Sequence, residues 1–215
     1  MAKKSKLGTC CICGKSGVKV TADHVPPKTI FLKPRPENTI TVKACNKCNN
    51  GASNHDQRFS VFLSMQAIPL HDEAKRLFNT KTLDTLNKNI KLKNSIISTA
   101  KPVYLTTEQG VIYDKAMSVL TDIEVYNSTI ERTLRGLYYH HFKEILGSKA
   151  KVEIDIFQQF PDELMQIAPS LNHNEIGHKG ELIYKYFRTE ESHMDSVWLF
   201  QFYNSLYAAG WTTPV

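Results

Sequence analysis

The sequence predicts an α+β protein: a metal-braced N-terminal segment, then a region of antiparallel strands around one long helix. Two Cys-x-x-Cys pairs lie within the first fifty residues. After residue 95, short alternating apolar and polar runs flank the longest helical pattern, which spans 122–146 and is closed by Gly147. A chain of 215 residues suffices for one or two domains. We divide it into an N-terminal module at 1–60, a helical connector at 61–95 and an α+β domain at 96–215.

The cysteine pairs are Cys10 with Cys13 and Cys45 with Cys48. Four thiolates from two such pairs can close a tetrahedral zinc shell, which would be a structural site. Between the pairs lie 31 residues, more than in the usual zinc ribbon, so the metal would close a long loop. Cys11 could replace Cys10 as a ligand, but its spacing to Cys13 leaves too short a turn, and we interpret it as a thiol packed beside the site. This cysteine usage indicates a reducing compartment and predicts a cytoplasmic protein.

Positive charge is concentrated at the N-terminal end of the chain. Residues 1–60 hold eleven Lys or Arg against three acids, a net charge of +8, whereas the remainder has a net charge of −2. This distribution favours a polyanion-binding face, with nucleic acid as the partner, over a merely soluble basic surface. The sequence has no apolar run long enough for a membrane span or signal peptide, and we expect no membrane partner.

Two strands should run through the segment between the cysteine pairs. Alternation from Val18 predicts a strand into Asp23-His24, stopped by Pro26-Pro27, and residues 39–42 form a second, β-branched run. Neighbouring strand residues face opposite ways, so we expect a proline-enforced kink to let Asp23 and His24 both approach a helix that begins with the second cysteine pair. The remaining pattern predicts helices over 54–66, 71–87, 122–146 and 161–168, and strands over 102–105, 110–113, 152–156, 181–187, 197–203 and 205–210.

The order Cys-x-x-Cys, Asp-His, Cys-x-x-Cys-Asn resembles the HNH endonucleases of the zinc-containing ββα-metal, treble-clef type. The resemblance covers about the first quarter of the chain. It implies a hairpin followed by a helix, a catalytic metal separate from the zinc, and hydrolysis of phosphodiester bonds. By this resemblance Asp23 and Asn49 would bind the catalytic ion, and Asn38 would orient the base histidine. Oxygen ligands of this kind suit Mg²⁺ or Mn²⁺.

His24 fits the role of general base, because a free imidazole has a pKa of about 6.5. His55 and Asp56 follow Asn49 by about two helical turns. They could complete the metal site or donate a proton, although a solvent-facing helical histidine is the simpler interpretation of His55. The candidate phosphate contacts, each weighed against solvated surface, are Lys28, Lys43, Lys47 and Arg58.

Three functions are open at this point. The first is a metal-dependent endonuclease, with DNA favoured over RNA, which could act as a homodimer because cutting both strands often needs two sites. The second is a non-catalytic treble-clef zinc module that binds nucleic acid. The third is an interaction protein braced by zinc. Arg132, Arg135 and Tyr139 share one face of the long helix, and we favour a half-buried face over a nucleic-acid contact there.

Overall fold

The computed structural model describes residues 6–177 and 180–215. The strands are β1 Lys6–Gly8, β2 Val18–Val25, β3 Ile40–Cys45, β4 Lys101–Thr106, β5 Ile112–Ser118, β6 Ala150–Phe157, β7 Asn172–Ile176, β8 Leu182–Arg188, β9 Ser196–Phe202 and β10 Leu206–Pro214. The α-helices are α1 Ser53–Ala67, α2 Asp72–Leu77, α3 Leu83–Lys88, α4 Ile90–Ile97, α5 Ile123–Phe142 and α6 Asp162–Ile167. A π-helical stretch, Phe78–Thr82, joins α2 to α3.

All strand pairing in the described residues is antiparallel, which agrees with the predicted α+β class. The N-terminal sheet has the order β1-β2-β3, and the large C-terminal sheet has the order β6-β10-β9-β8-β7. Strands β4 and β5 form a separate two-stranded ribbon whose residues are almost all exposed. Within the described part of the chain, no helix is both long and apolar enough to cross a membrane.

Helix α5 is the element that joins the two larger sheets. A Cβ added at Gly136 would lie 2.6 Å from Val25 Cγ2, so the helix backbone sits directly on β2. A Cβ added at Gly210 of β10 would lie 2.5 Å from Leu134 Cδ1, which shows an equally close approach on the other side of the helix. The main hydrophobic core therefore runs through the N-terminal sheet, α5 and the C-terminal sheet. The predicted three-segment division stays a prediction.

The observed ends of α5 follow from local capping. The side chain of Asp122 accepts a hydrogen bond from Glu124 N at 3.1 Å, as an N-cap residue does. The helix ends at Phe142, where Lys143 takes a left-handed conformation with φ of 58°. The prediction of a helix to Leu146 was wrong by about one turn.

Several other boundaries differ from the prediction. Residues 6–8, for which no strand was predicted, pair with β2 as strand β1. Cys45 ends β3, and α1 begins only at Ser53, after a 3-10 turn at Asn50–Ala52. Helix α4 was missed although Asn89 caps it by accepting a hydrogen bond from Leu92 N. Strand β7 was missed because its polar residues pair only as the edge of the sheet, with β8.

Candidate metal centre and the adjoining basic cluster

The Sγ atoms of Cys10, Cys13, Cys45 and Cys48 all lie within 4.8 Å of one another. The atoms Cys13 Sγ and Cys45 Sγ are 4.0 Å apart. Four thiolates around a tetrahedral zinc, with Zn–S bonds of about 2.3 Å, would be separated by about 3.8 Å. The four cysteines therefore fit a metal ion such as zinc, which confirms the prediction that they converge.

Two similar turns present the thiols. Gly14 N donates to Cys10 O at 2.9 Å in the first turn, and Asn49 N donates to Cys45 O at 2.9 Å in the second. Burial raises the pKa of Cys45, but hydrogen bonds from the Cys48 backbone and from neighbouring thiols outweigh it and bring that pKa down to about 7. Burial and the neighbouring thiols instead raise the pKa of Cys48 and of Cys13. A bound cation would be needed for all four thiols to ionise together.

Cys11 lies outside the metal cluster, as predicted. Its side chain is buried, and burial is the largest cause of its raised pKa. A buried thiol of this kind is chemically inert. Cys11 therefore belongs to the packing around the metal centre.

Asp23 faces α5 and is 6% exposed. Arg132 Nη1 donates to Asp23 Oδ2 at 2.8 Å, and Arg132 Nη2 donates to Asp56 Oδ1. One buried guanidinium thus ties β2, α1 and α5 together, in accord with the interpretation of Arg132 as part of a buried helix face. Burial raises the pKa of Asp23 despite Arg132, and it raises the pKa of Asp56 to about 6.

His24 lies on the opposite face of β2 from Asp23. Asp23 pairs with Val42 and His24 with Thr41 in an unbroken register that continues to Val25. The predicted kink that would turn both side chains to one side is absent from β2, because the prolines follow only after this pairing is complete. Asp23 is therefore directed into the core, whereas His24 is half-buried on the outer face.

The environment of His24 favours the neutral imidazole. Burial is the largest cause of its lowered pKa, and the positive charges of Lys28 and Arg35 lower it further. A neutral imidazole can accept a proton at pH 7. Lys43 projects from the same outer face of the hairpin, since its partner in the sheet, Ala22, is two residues from His24.

Asn49 connects the second cysteine turn to β2. Its Nδ2 donates to Thr21 Oγ1 at 3.0 Å and to Ala22 O at 3.1 Å. Among the described residues, Asn49 Oδ1 has no hydrogen-bond partner. This oxygen is therefore free to bind a cation.

The structure places Asn38 and His55 in other contacts. Asn38 Nδ2 donates to Glu175 O at 3.1 Å, and Gly177 N donates to Asn38 Oδ1 at 3.0 Å. Asn38 thus joins its loop to β7, and within residues 6–177 and 180–215 it makes no hydrogen bond to His24. His55 Nδ1 is 2.7 Å from Ser128 Oγ, at a cavity of about 340 Å³ that Lys47 and Arg132 also line.

The predicted phosphate contacts differ in their exposure and in whether a carboxylate already pairs with them. Lys28, Lys43 and Lys47 are exposed. Arg58 is only partly exposed, and its Nη2 lies 3.0 Å from Asp122 Oδ2 at the N-terminus of α5. An arginine already paired with a carboxylate is a weaker candidate for a phosphate contact than the three lysines.

Lys81 adds a cation that the sequence analysis did not single out. Its Nζ donates to Thr29 O at 2.6 Å, which brings the π-helical stretch against the loop after β2. Burial, together with the charges of Arg35, Lys33 and Lys28, lowers the pKa of Lys81 to about 8. No local signal marks this residue, because its position depends on the packing of a separate helical segment.

Comparisons of this chain with protein-family models, with curated proteins and with solved structures find no match.

Proposed function

We propose that this protein is a metal-dependent endonuclease of the HNH type, acting on nucleic acid with DNA favoured over RNA, and that its N-terminal module is a treble clef. The observation that carries the proposal is the environment of His24. A half-buried imidazole with a lowered pKa lies beside Lys28 and Arg35, on a hairpin held by four clustered cysteines. Phosphodiester hydrolysis needs a base for water and positive charge around the phosphate, and this face offers both.

His24 would accept a proton from the attacking water, while Lys28 and Arg35 hold the anionic substrate. Asp23 and Asn49 are the residues that would bind Mg²⁺ or Mn²⁺, as the resemblance implies, and Asn49 Oδ1 is free for this. The bound ion would stabilise the negative charge that develops on the leaving oxygen. Asp23 would serve as a ligand at the phosphate near His24 only if Arg132 releases Oδ2 and the carboxylate turns from the α5 side of β2 to the side of His24.

The test is plasmid nicking by zinc-loaded protein, with Mg²⁺, with Mn²⁺ and without added divalent metal. We expect metal-dependent nicking that falls about 10² to 10⁴-fold in His24→Ala, since that is the typical contribution of a general base. Zinc content and affinity for a duplex oligonucleotide should be unchanged. His173→Ala is the matched control, because His173 is an exposed histidine on the edge strand β7. Equal nicking rates in His24→Ala and wild-type would refute the role of His24.

A non-catalytic zinc module that binds nucleic acid is the second candidate. Two observations favour it. Arg132 donates a hydrogen bond to Asp23 Oδ2, which leaves this carboxylate less available to a metal, and Asp23 and His24 lie on opposite faces of β2. This candidate predicts salt-sensitive binding of duplex DNA without nicking in either metal. The same nicking assay therefore decides between the two.

A further inference from the structure

We propose that Lys28, Lys33, Arg35 and Lys81 form a phosphate subsite beside His24, which takes a backbone phosphate of the nucleic acid next to the one that is cleaved. The assignment rests on the proposed function, because that function supplies the polyanion. It extends the predicted phosphate contacts by three residues, one of which comes from a different part of the chain. It also places the path of the substrate along the loop at residues 26–37.

Thr29 anchors the start of this loop through three hydrogen bonds. Its carbonyl oxygen accepts hydrogen bonds from Ser60 Oγ at 2.7 Å and from Lys81 Nζ at 2.6 Å. Its hydroxyl donates to Asp56 O at 3.0 Å. The turn that carries Lys28 is thereby anchored to α1 and to the π-helical stretch. Its backbone is fixed before any ligand arrives, which reduces the entropic cost of binding.

Within the described residues none of the four cations forms a salt bridge, although Glu37 stands in the same loop and Glu73 and Glu181 line one cavity with Lys33. By contrast, Arg132 contacts two carboxylates and Arg58 contacts Asp122. Lys81 is half-buried, and the positive charges of Arg35, Lys33 and Lys28 act unfavourably on its charged form. An anion bound among them would relieve this repulsion, and a phosphate is the anion that a nuclease substrate brings.

The subsite and His24 share two of their cations. Lys28 and Arg35 act electrostatically both on His24 and on Lys81. Lys28 lies in a turn only four residues after His24, and Lys81 Nζ donates to the carbonyl of the next residue, Thr29. A strand of nucleic acid with one phosphate at His24 would therefore pass close to the subsite. Contacts of this kind recognise the backbone and not the bases, so their contribution should be the same for every sequence.

The experiment is a salt titration of binding to a duplex oligonucleotide, without divalent metal so that no cleavage occurs. We expect the slope of log affinity against log salt to fall by about 0.9 in Lys81→Met, as for one lost phosphate contact, and by about 1.8 when Arg35→Gln is added. Lys151→Met is the matched control. It removes the same charge from an exposed lysine of β6 that pairs with Glu153 at 2.6 Å, and its slope should stay at the wild-type value.

If Lys81→Met does not fold, Arg35→Gln alone can be used for the test, because Arg35 is exposed and its replacement should not disturb folding. Slopes for Lys81→Met or Arg35→Gln that match Lys151→Met would overturn the subsite, even in a protein that nicks plasmid. Reduced slopes in a protein that never nicks would support the subsite and reject the endonuclease. Each of the two proposals can therefore be refuted without refuting the other.

Discussion

Replacing Arg132 with Met should destabilise the folded protein by about 3 to 5 kcal/mol near pH 8, because one partner of a buried ion pair is lost. Arg132 and Asp23 have side-chain exposures of only 9% and 7%, and Nη1 lies 2.8 Å from Oδ2. The second guanidinium nitrogen contacts Asp56. The variant would therefore leave two carboxylates in apolar surroundings with no counter-charge.

The size of this loss should depend on pH. Without Arg132, burial would hold the pKa of both carboxyls above the values in the unfolded chain. The folded variant then binds protons that the unfolded chain does not, so its stability rises as the pH falls. Asp56 has a pKa of about 6 even with Arg132 in place, which shows how strongly burial acts here. We expect the difference from wild-type to be smaller at pH 6 than at pH 8.

Urea unfolding of zinc-loaded protein at both pH values measures these quantities. Arg76→Met is the control, because Arg76 is 67% exposed and pairs with Glu73 on the surface of α2, where a salt bridge contributes about 0 to 1 kcal/mol. Adding Asp23→Asn and Asp56→Asn to Arg132→Met should recover part of the loss. A loss under about 1 kcal/mol at pH 8, or one that grows as the pH falls, would show that the reasoning about this triad is wrong.

Further predictions concern the metal centre and the packing of α5. Cys48→Ser should lose zinc and unfold the N-terminal module, because the free energy of metal binding there is largely free energy of folding. Zinc analysis and circular dichroism measure the two effects. The control variant Cys11→Ser should retain the metal. Gly136→Ala should cost about 1 to 3 kcal/mol, because its Cβ would overlap Val25, and a thermal melt at or above the wild-type temperature would contradict the close packing of α5 on β2.

Local signals in the sequence were enough to predict the metal centre and the hairpin. Each Cys-x-x-Cys pair forms a single turn, so two ligands are placed by a few backbone hydrogen bonds, and only one long-range event must bring the pairs together. Strands β2 and β3 followed from alternation and β-branched residues, because a side-chain period of two reports which face is buried. The excess of positive charge in residues 1–60 can likewise be counted from the sequence without a structure.

The contacts around Asp23 could not be predicted in this way. Periodicity marked Arg132 as part of a helix face, but it does not say which residue that face meets. The partner lies 109 positions away in β2. Asn38 shows the same limit, since its contacts with Glu175 and Gly177 span more than 130 positions.

Sequence alone therefore determined the fold class, the four cysteines that converge, the basic N-terminal segment and the histidine that we propose as the base. Only the tertiary structure decided that Asp23 and His24 face opposite sides of β2, that Arg132 joins Asp23 to Asp56, and that Lys81 reaches Thr29 across 52 positions. The physical reason is that turns and strand periodicity arise from neighbouring residues, whereas the packing of α5 and of the π-helical stretch depends on how distant apolar faces are buried together.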